Sequence, residues 1–327
     1  PGGGRPRGPG PNPEALEPLA ERLGLAFRAF DLDSPRDVRA GIEGMAAVLH
    51  AAGPFSATFR PMLEACLQAR VHYVDVTGEI AVLEAVAARD AEARGAGVML
   101  LPGAGFDVVP TDCLAAHVKR RLPGATRLRL AIAAGGRVSR GTARTMLEGA
   151  GHGTQVRRGG RLVELPKAPR TTVDFGAGPR PAVGISWGDV ATAWRSTGIP
   201  DIEVYFALSP MLTRIAGIPR PLKRLLASKL GQRIAARQIG RRLPPGPTPE
   251  QRARARSLIL AEAWDAAGAH VASRLQTVEA YTLTAWTAIE IARRASRGDA
   301  KAGYQTPATA FGADFILGFE GSTRTEL

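Results

Sequence analysis

The 327-residue chain has little cysteine, little lysine and no long apolar run. Its two cysteines, Cys66 and Cys113, stand far apart without a CxxC, which argues against a disulfide framework or a thiolate zinc site and fits a reducing, cytoplasmic setting. His50, His72, His117, His152 and His270 form no metal-spaced cluster, so no metal site is expected. No Gly-x-Ser-x-Gly elbow supports hydrolytic chemistry. No apolar stretch approaches the roughly 18 residues of a spanning helix, and no hydrophobic signal core is present. Lysine occurs only at Lys119, Lys167, Lys223, Lys229 and Lys301, so the net charge of +13 comes mostly from arginine. The arginines show little local clustering, which reads as a composition bias on a solvated surface and gives no pattern for specific nucleic-acid recognition.

What is present is an ordinary globular composition, 45% apolar and 22% charged, in a chain long enough for two cores. From Pro13 to Leu101 helical and extended patterns alternate: a helix to Leu23, a strand over 25–32, a helix after Ser34, and a strand over 45–52. A helix over 56–70, a strand over 72–77, a helix over 79–94 and a strand over 97–101 follow. Four strands apolar enough to be covered on both faces predict a parallel, doubly wound, Rossmann-like α/β sheet.

After Pro110 the texture changes. Thr126–Ala133 alternates apolar and polar residues, and further strands are expected at 161–165, 171–175, 202–207, 257–264 and 270–277, the last two joined as a hairpin. The second domain is therefore α+β with a mostly antiparallel sheet, ending in a helix over 278–294. The expected division is 1–112 for the first domain, 113–300 for a substrate or dimerisation domain, and 301–327 for a segment returning toward the first.

Several short motifs carry candidate chemistry. Ala51-Ala52-Gly53-Pro54-Phe55 ends a strand with small residues, which suits close approach of a ligand to the backbone or a plain tight turn. In His72-Tyr73-Val74-Asp75-Val76-Thr77-Gly78-Glu79, the acids at the strand end would bind sugar hydroxyls or serve as helix-start residues. Pro102–Asp112 (PGAGFDVVPTD) places two glycines and Asp107 where the domains should join. Gly141-Thr142-Ala143-Arg144 opens a helix after glycines, as an anion site or an N-cap would. Residues 219–243 hold eight basic residues and no acid along an apolar stripe. Such a helix packs on a sheet, joins subunits in a homodimer, or makes peripheral contact with an anionic membrane.

Taken in order, AAGPF (51–55), HYVDVTGE (72–79), PGAGFDVVPTD (102–112), SRGTARTMLEG (139–149), STGIPDIEVY (196–205) and GYQTPATAFGADF (303–315) resemble the saccharopine-dehydrogenase-like family of NAD(P)-dependent oxidoreductases, including its trans-acting enoyl reductase branch. The resemblance implies NADP or NAD as cofactor and reduction of a C=C or C=N bond in a small-molecule or lipid-like substrate. It implies cofactor contacts at Asp31, Ala52, Gly53, Pro54, Phe55, Thr77 and Gly78, and substrate contacts at Thr142, Arg144 and Gln305. Asp107, Glu79 and His72 are the candidate proton donors. The family opens with a strand, a glycine-rich turn and a helix. Here PGGGRPRGPGPN has neither strand nor helix pattern around its glycines, so the resemblance implies a Rossmann unit incomplete at its N-terminus. A degenerate cofactor site in a non-catalytic protein is the competing expectation.

Overall fold

The computed structural model describes residues 13–134, 153–208 and 248–327. They form two compact units, one reaching to Pro102 and including Ala288–Gln305, the other comprising Gly103–Thr287 and Thr306–Leu327.

The first unit begins with α1 (Pro13–Leu23) and α2 (Pro35–Ile42), the latter capped by the Ser34 hydroxyl accepting from the Asp37 amide. Then come β1 (Ala47–His50), α3 (Phe55–Ala69), β2 (His72–Asp75), α4 (Ile80–Ala87), α5 (Asp90–Ala96) and β3 (Met99–Leu101). Gly303–Tyr304, the strand numbered β12, returns to pair with β3, giving a parallel sheet in the order β1-β2-β3-β12. The apolar face of α3 supplies Phe59, Met62, Leu63 and Cys66 to a core with Tyr73, Val82, Val86 and Leu100. Each such buried side chain contributes about 1.5–3 kcal/mol.

Two expectations are corrected in this unit. Residues 25–32 are not a strand. Among the described residues β1 pairs only with β2, so this segment finds no neighbour to complete a ladder. It is held by side chains instead: the Arg28 guanidinium donates to the carbonyls of Ala40, Gly41 and Glu43 at the end of α2, and the Phe30 ring lies against Gly41. The helix expected over 79–94 is two helices. α4 ends at Ala87, and a new first turn starts with Asp90, whose carboxylate accepts the Tyr304 amide at 2.7 Å.

In the second unit α6 (Val109–Arg121) leads into β4 (Ala125–Ala133). The hairpins β5 (Thr154–Arg158) with β6 (Arg161–Leu165) and β7 (Arg170–Asp174) with β8 (Pro179–Gly184) follow. Next are α7 (Asp189–Thr197), β9 (Asp201–Ala207), α8 (Pro249–Arg254), and β10 (Arg256–Asp265) paired with β11 (His270–Val278). α9 (Ala280–Ser296) starts in this unit, and α10 (Pro307–Phe311), a 3-10 turn and β13 (Thr323–Glu326) complete it. The sheet runs β13-β11-β10-β4-β9-β5-β6, with β7 and β8 attached through β9. Among the described strands it is antiparallel except for β4 beside β9, which are parallel. Leu128, Leu130 and Ile132 bury one face of β4, while Ala131 and Ala133 meet Val173, Phe175 and Tyr205 on the other. No described helix is long and apolar enough to cross a membrane.

Candidate functional site

In the first unit the carboxyl ends of β1 and β2 carry the loops that the sequence singles out. β1 ends at His50, which is buried, and that burial lowers its pKa and favours the neutral ring. The Thr58 hydroxyl gives its proton to the Ala52 carbonyl, leaving its oxygen to accept from His50 Nε2 at 3.0 Å. That arrangement puts the His50 proton on Nε2. The His50 ring also meets Phe55 edge-on, 5.7 Å between centroids. Ala51, Ala52, Gly53 and Pro54 are exposed between these anchors. A Cβ on Gly53 would meet nothing nearer than the Phe55 ring, at 3.6 Å, so the space beside its backbone is open.

The loop is braced from the end of β2. Glu79 reaches across to α3 and accepts the amides of Phe55 and Ser56 at 2.8 and 3.0 Å. Its carboxylate thus satisfies two orphan donors and meets the positive end of the helix dipole. Thr77 is fully buried, its amide donating to Asp75 Oδ1 and its hydroxyl accepting from the Glu79 amide. Asp75 also accepts from the Tyr73 hydroxyl at 2.6 Å. His72 stands at the opposite, amino end of β2, where Nδ1 accepts the Met99 amide at 3.0 Å. Asp31 is exposed and accepts the Asp33 amide in a turn. Gln305 follows β12, its amide bonded to the Leu100 carbonyl at 2.8 Å. Thr142, Arg144 and the basic stretch 219–243 lie outside the described residues.

The second unit opens with the glycine-rich loop 103–108. Thr284 of α9 accepts the Phe106 amide at 2.9 Å, and the Thr287 hydroxyl donates to the Ala104 carbonyl at 2.7 Å. A Cβ on Gly105 would lie 2.9 Å from Thr284 Cγ2, so only glycine allows this approach. Asp107 follows on this loop, partly exposed, its carboxyl pushed up to about 6 by burial.

Behind it lie two fully buried acids at helix starts. Asp112, in the first turn of α6, accepts the Ala308 amide of α10 at 2.8 Å, and burial raises it to about 6. Asp189 opens α7, and neither of its oxygens has a hydrogen bond of ordinary geometry. Burial, together with the neighbouring charges of Asp112 and Asp107, holds it well above the ordinary carboxylate range. The hydroxyls of Thr111 and Thr192 oppose this only in part, because they donate to the Val108 and Gly188 carbonyls. Adjacent buried carboxyls resist double ionisation, which favours the protonated form of each. Sequence reading did not single out Asp189. Its only signal is Trp187-Gly188-Asp189 at a helix start, a pattern that a simple N-terminal acid shares. No group of His, Cys, Asp and Glu among the described residues is arranged to hold a metal ion.

Residues 10–101 match the saccharopine dehydrogenase NADP binding domain. The cofactor class is therefore NAD(P). The apo, histidine-tagged saccharopine dehydrogenase (L-Glu forming) of Saccharomyces cerevisiae superimposes with a TM-score of 0.61 at 10% identity, over 97% of this chain and 92% of that one. That likeness establishes the fold: a Rossmann-like parallel sheet followed by a mostly antiparallel one. GenD2 of gentamicin A biosynthesis, in complex with NAD, gives a TM-score of 0.37 at 12% identity over 97% and 86% of the two chains. The dehydrogenase MviM of Clostridium difficile gives 0.34 at 10% identity over 94% and 86%. A comparison with curated protein sequences finds no match.

The described residues fit a dinucleotide in part. The exposed Ala51–Pro54 loop leaves room for a ring or ribose against the backbone. The first two amides of α3 are already taken by Glu79, and the Asp37 amide of α2 by Ser34, so these donors are not free for a pyrophosphate.

Proposed function

We propose that this chain is an NAD(P)-dependent oxidoreductase that reduces a C=C or C=N bond of a small or lipid-like molecule, as the enoyl reductase branch of the resembling family does. The observation that carries the reading is the exposed, small-residue loop Ala51–Pro54 at the carboxyl end of β1, braced by Glu79 inside a segment that matches an NADP binding domain. In open α/β sheets ligands bind outside the carboxyl ends of the strands.

The bound nicotinamide supplies the hydride. Ala52, Gly53, Pro54 and Phe55 bind beside it through backbone and small side chains, and Glu79 orients the loop. Asp31, Thr77 and Gly78 complete the cofactor contacts, while Thr142, Arg144 and Gln305 contact the substrate. Asp107 holds the proton that the reduced substrate takes up. Its pKa of about 6 lies near working pH, where a general acid is most effective. Glu79 and His72 are poorer donors, since each is engaged in a backbone hydrogen bond that fixes local structure. Buried free cysteines suit a cytoplasmic enzyme.

The test is consumption of NADPH against a panel of enoyl and cyclic-imine substrates, comparing the parent with Asp107→Asn. Turnover that the variant loses on at least one substrate supports the reading. No turnover on any member, with NADPH bound, would remove C=C and C=N reduction.

A further inference from the structure

The second unit holds a cavity of 430 Å³ that has no part in the proposed chemistry. Arg252 of α8, Arg256 at the start of β10, Thr282 and Trp286 of α9, Glu320 and Gly321 are among the residues that line it. Its volume lies in the range of small-molecule sites.

Two features of the lining restrict what fits. The charges are two guanidinium groups against one carboxylate, so the cavity favours an anion. Arg256 is steadied by donating to the carbonyls of Ala253 and Ala255 at 2.7 and 2.9 Å, which fixes its fork and lowers the entropy lost when an oxyanion binds. Trp286 is 38% exposed and lines the cavity, where its indole offers a flat apolar surface. Thr282 adds little polar recognition, because its hydroxyl is engaged with Glu279 at 3.3 Å. Arg252 and Arg256 thus supply the polar selectivity, and Trp286 the surface for a ring.

We propose that this cavity binds a small molecule that joins a carboxylate or phosphate oxyanion to a planar ring, the oxyanion on Arg252 and Arg256 and the ring on Trp286. The site is independent of the dinucleotide reading, since every lining residue belongs to the second unit. Thr282 and Trp286 lie one turn apart on α9, while Thr284 and Thr287, on another face of the same helix, hold the 103–106 loop.

The full chain is titrated with 2-naphthoate, phenyl phosphate and inorganic phosphate, following the indole N–H resonance of Trp286, which is assigned by its loss in Trp286→Leu. Saturable shifts with either ring-bearing anion support the site. A response to naphthoate alone identifies the source as a carboxylate, and a response to phenyl phosphate alone as a phosphate ester. The paired Arg252→Gln, Arg256→Gln variant weakens that binding about tenfold or more, as loss of charge-assisted hydrogen bonds does. No saturable shift from either ring-bearing anion overturns the proposal, as does unchanged affinity in the folded arginine variant. Inorganic phosphate binding as tightly as phenyl phosphate overturns the role of Trp286. Should the arginine variant fail to fold, the parent's Trp286 shifts still decide the matter.

Discussion

Glu79 accepts the Phe55 amide at 2.8 Å and the adjacent Ser56 amide at 3.0 Å, so a residue that ends one βα loop caps the helix of the preceding one. Loop 51–54 is pinned on its other side by Thr58, whose hydroxyl contacts the Ala52 and Pro54 carbonyls. Replacing Glu79 with Ala releases two amides and removes an anion from a helix N-terminus, a loss of about 1–2 kcal/mol. Glu79→Gln keeps one acceptor oxygen but sets its NH2 group against the other backbone N–H, so it retains at most part of the interaction. Urea denaturation of the two variants checks this, and no loss in either would show that the charge and the hydrogen bonds are immaterial.

Gly105 and Thr284 form a second close pair. Gly105→Ala places a methyl 2.9 Å from Thr284 Cγ2 and is expected to destabilise by about 1–3 kcal/mol. Thr284→Ser removes that methyl while keeping the oxygen that accepts the Phe106 amide. The double variant should recover most of the loss in thermal melting. Additive losses would place the strain elsewhere.

The buried acids set a pH dependence whose sign follows from burial. Asp112 titrates at about 6 in the folded protein against an ordinary 3.8, so the stability it contributes is complete below about pH 4 and is lost as pH rises through 6. Asp189, raised well above the ordinary carboxylate range mainly by burial, acts in the same direction. Asp112→Asn should gain on the parent by about 3 kcal/mol between pH 4 and 8. His117, lowered to about 4, acts in the opposite sense: its contribution is present above about 6.5 and lost as pH falls through 4. The difference between variant and parent therefore isolates Asp112 better than the parent curve does. A difference independent of pH would mean that Asp112 titrates alike in the folded and unfolded chain, which would contradict the effect of its burial.

Both thiols should resist modification in the native state. Cys66 is pushed up to about 12, and Cys113 is raised well above its ordinary value, each mainly by burial. Reaction with an aromatic disulfide reagent should require unfolding, since the thiolate is the nucleophile. Rapid stoichiometric labelling of folded protein would contradict their burial.

How much of this was legible in the sequence depended on whether the signal was local. β1 to β3 and α3 could be read because apolar runs, Gly turns and caps lie within a few residues of one another. Residues 25–32 show where that reasoning stops: LAFRAFDL has strand composition, but a strand requires a pairing partner, which composition does not report. Glu79 was singled out, yet its partner is 24 residues upstream, so the sequence showed an acid at a strand end and not the helix it caps. Asp112 and Asp189 come together only through the packing of α6 against α7, and Thr284 meets Phe106 across 178 residues.

The most direct test of the account is a fluorescence titration with NADPH of the parent and of Gly53→Val. Gly53 has an ordinary φ and open space for a side chain, so the substitution should leave the melting temperature nearly unchanged. A valine there would occupy the space assigned to the cofactor, and the account predicts saturable NADPH binding by the parent, weakened at least about tenfold in the variant, the equivalent of about 1.4 kcal/mol. Equal affinity in the two folded proteins, or no saturable binding by the parent, would contradict the assignment of loop 51–54 as the cofactor contact.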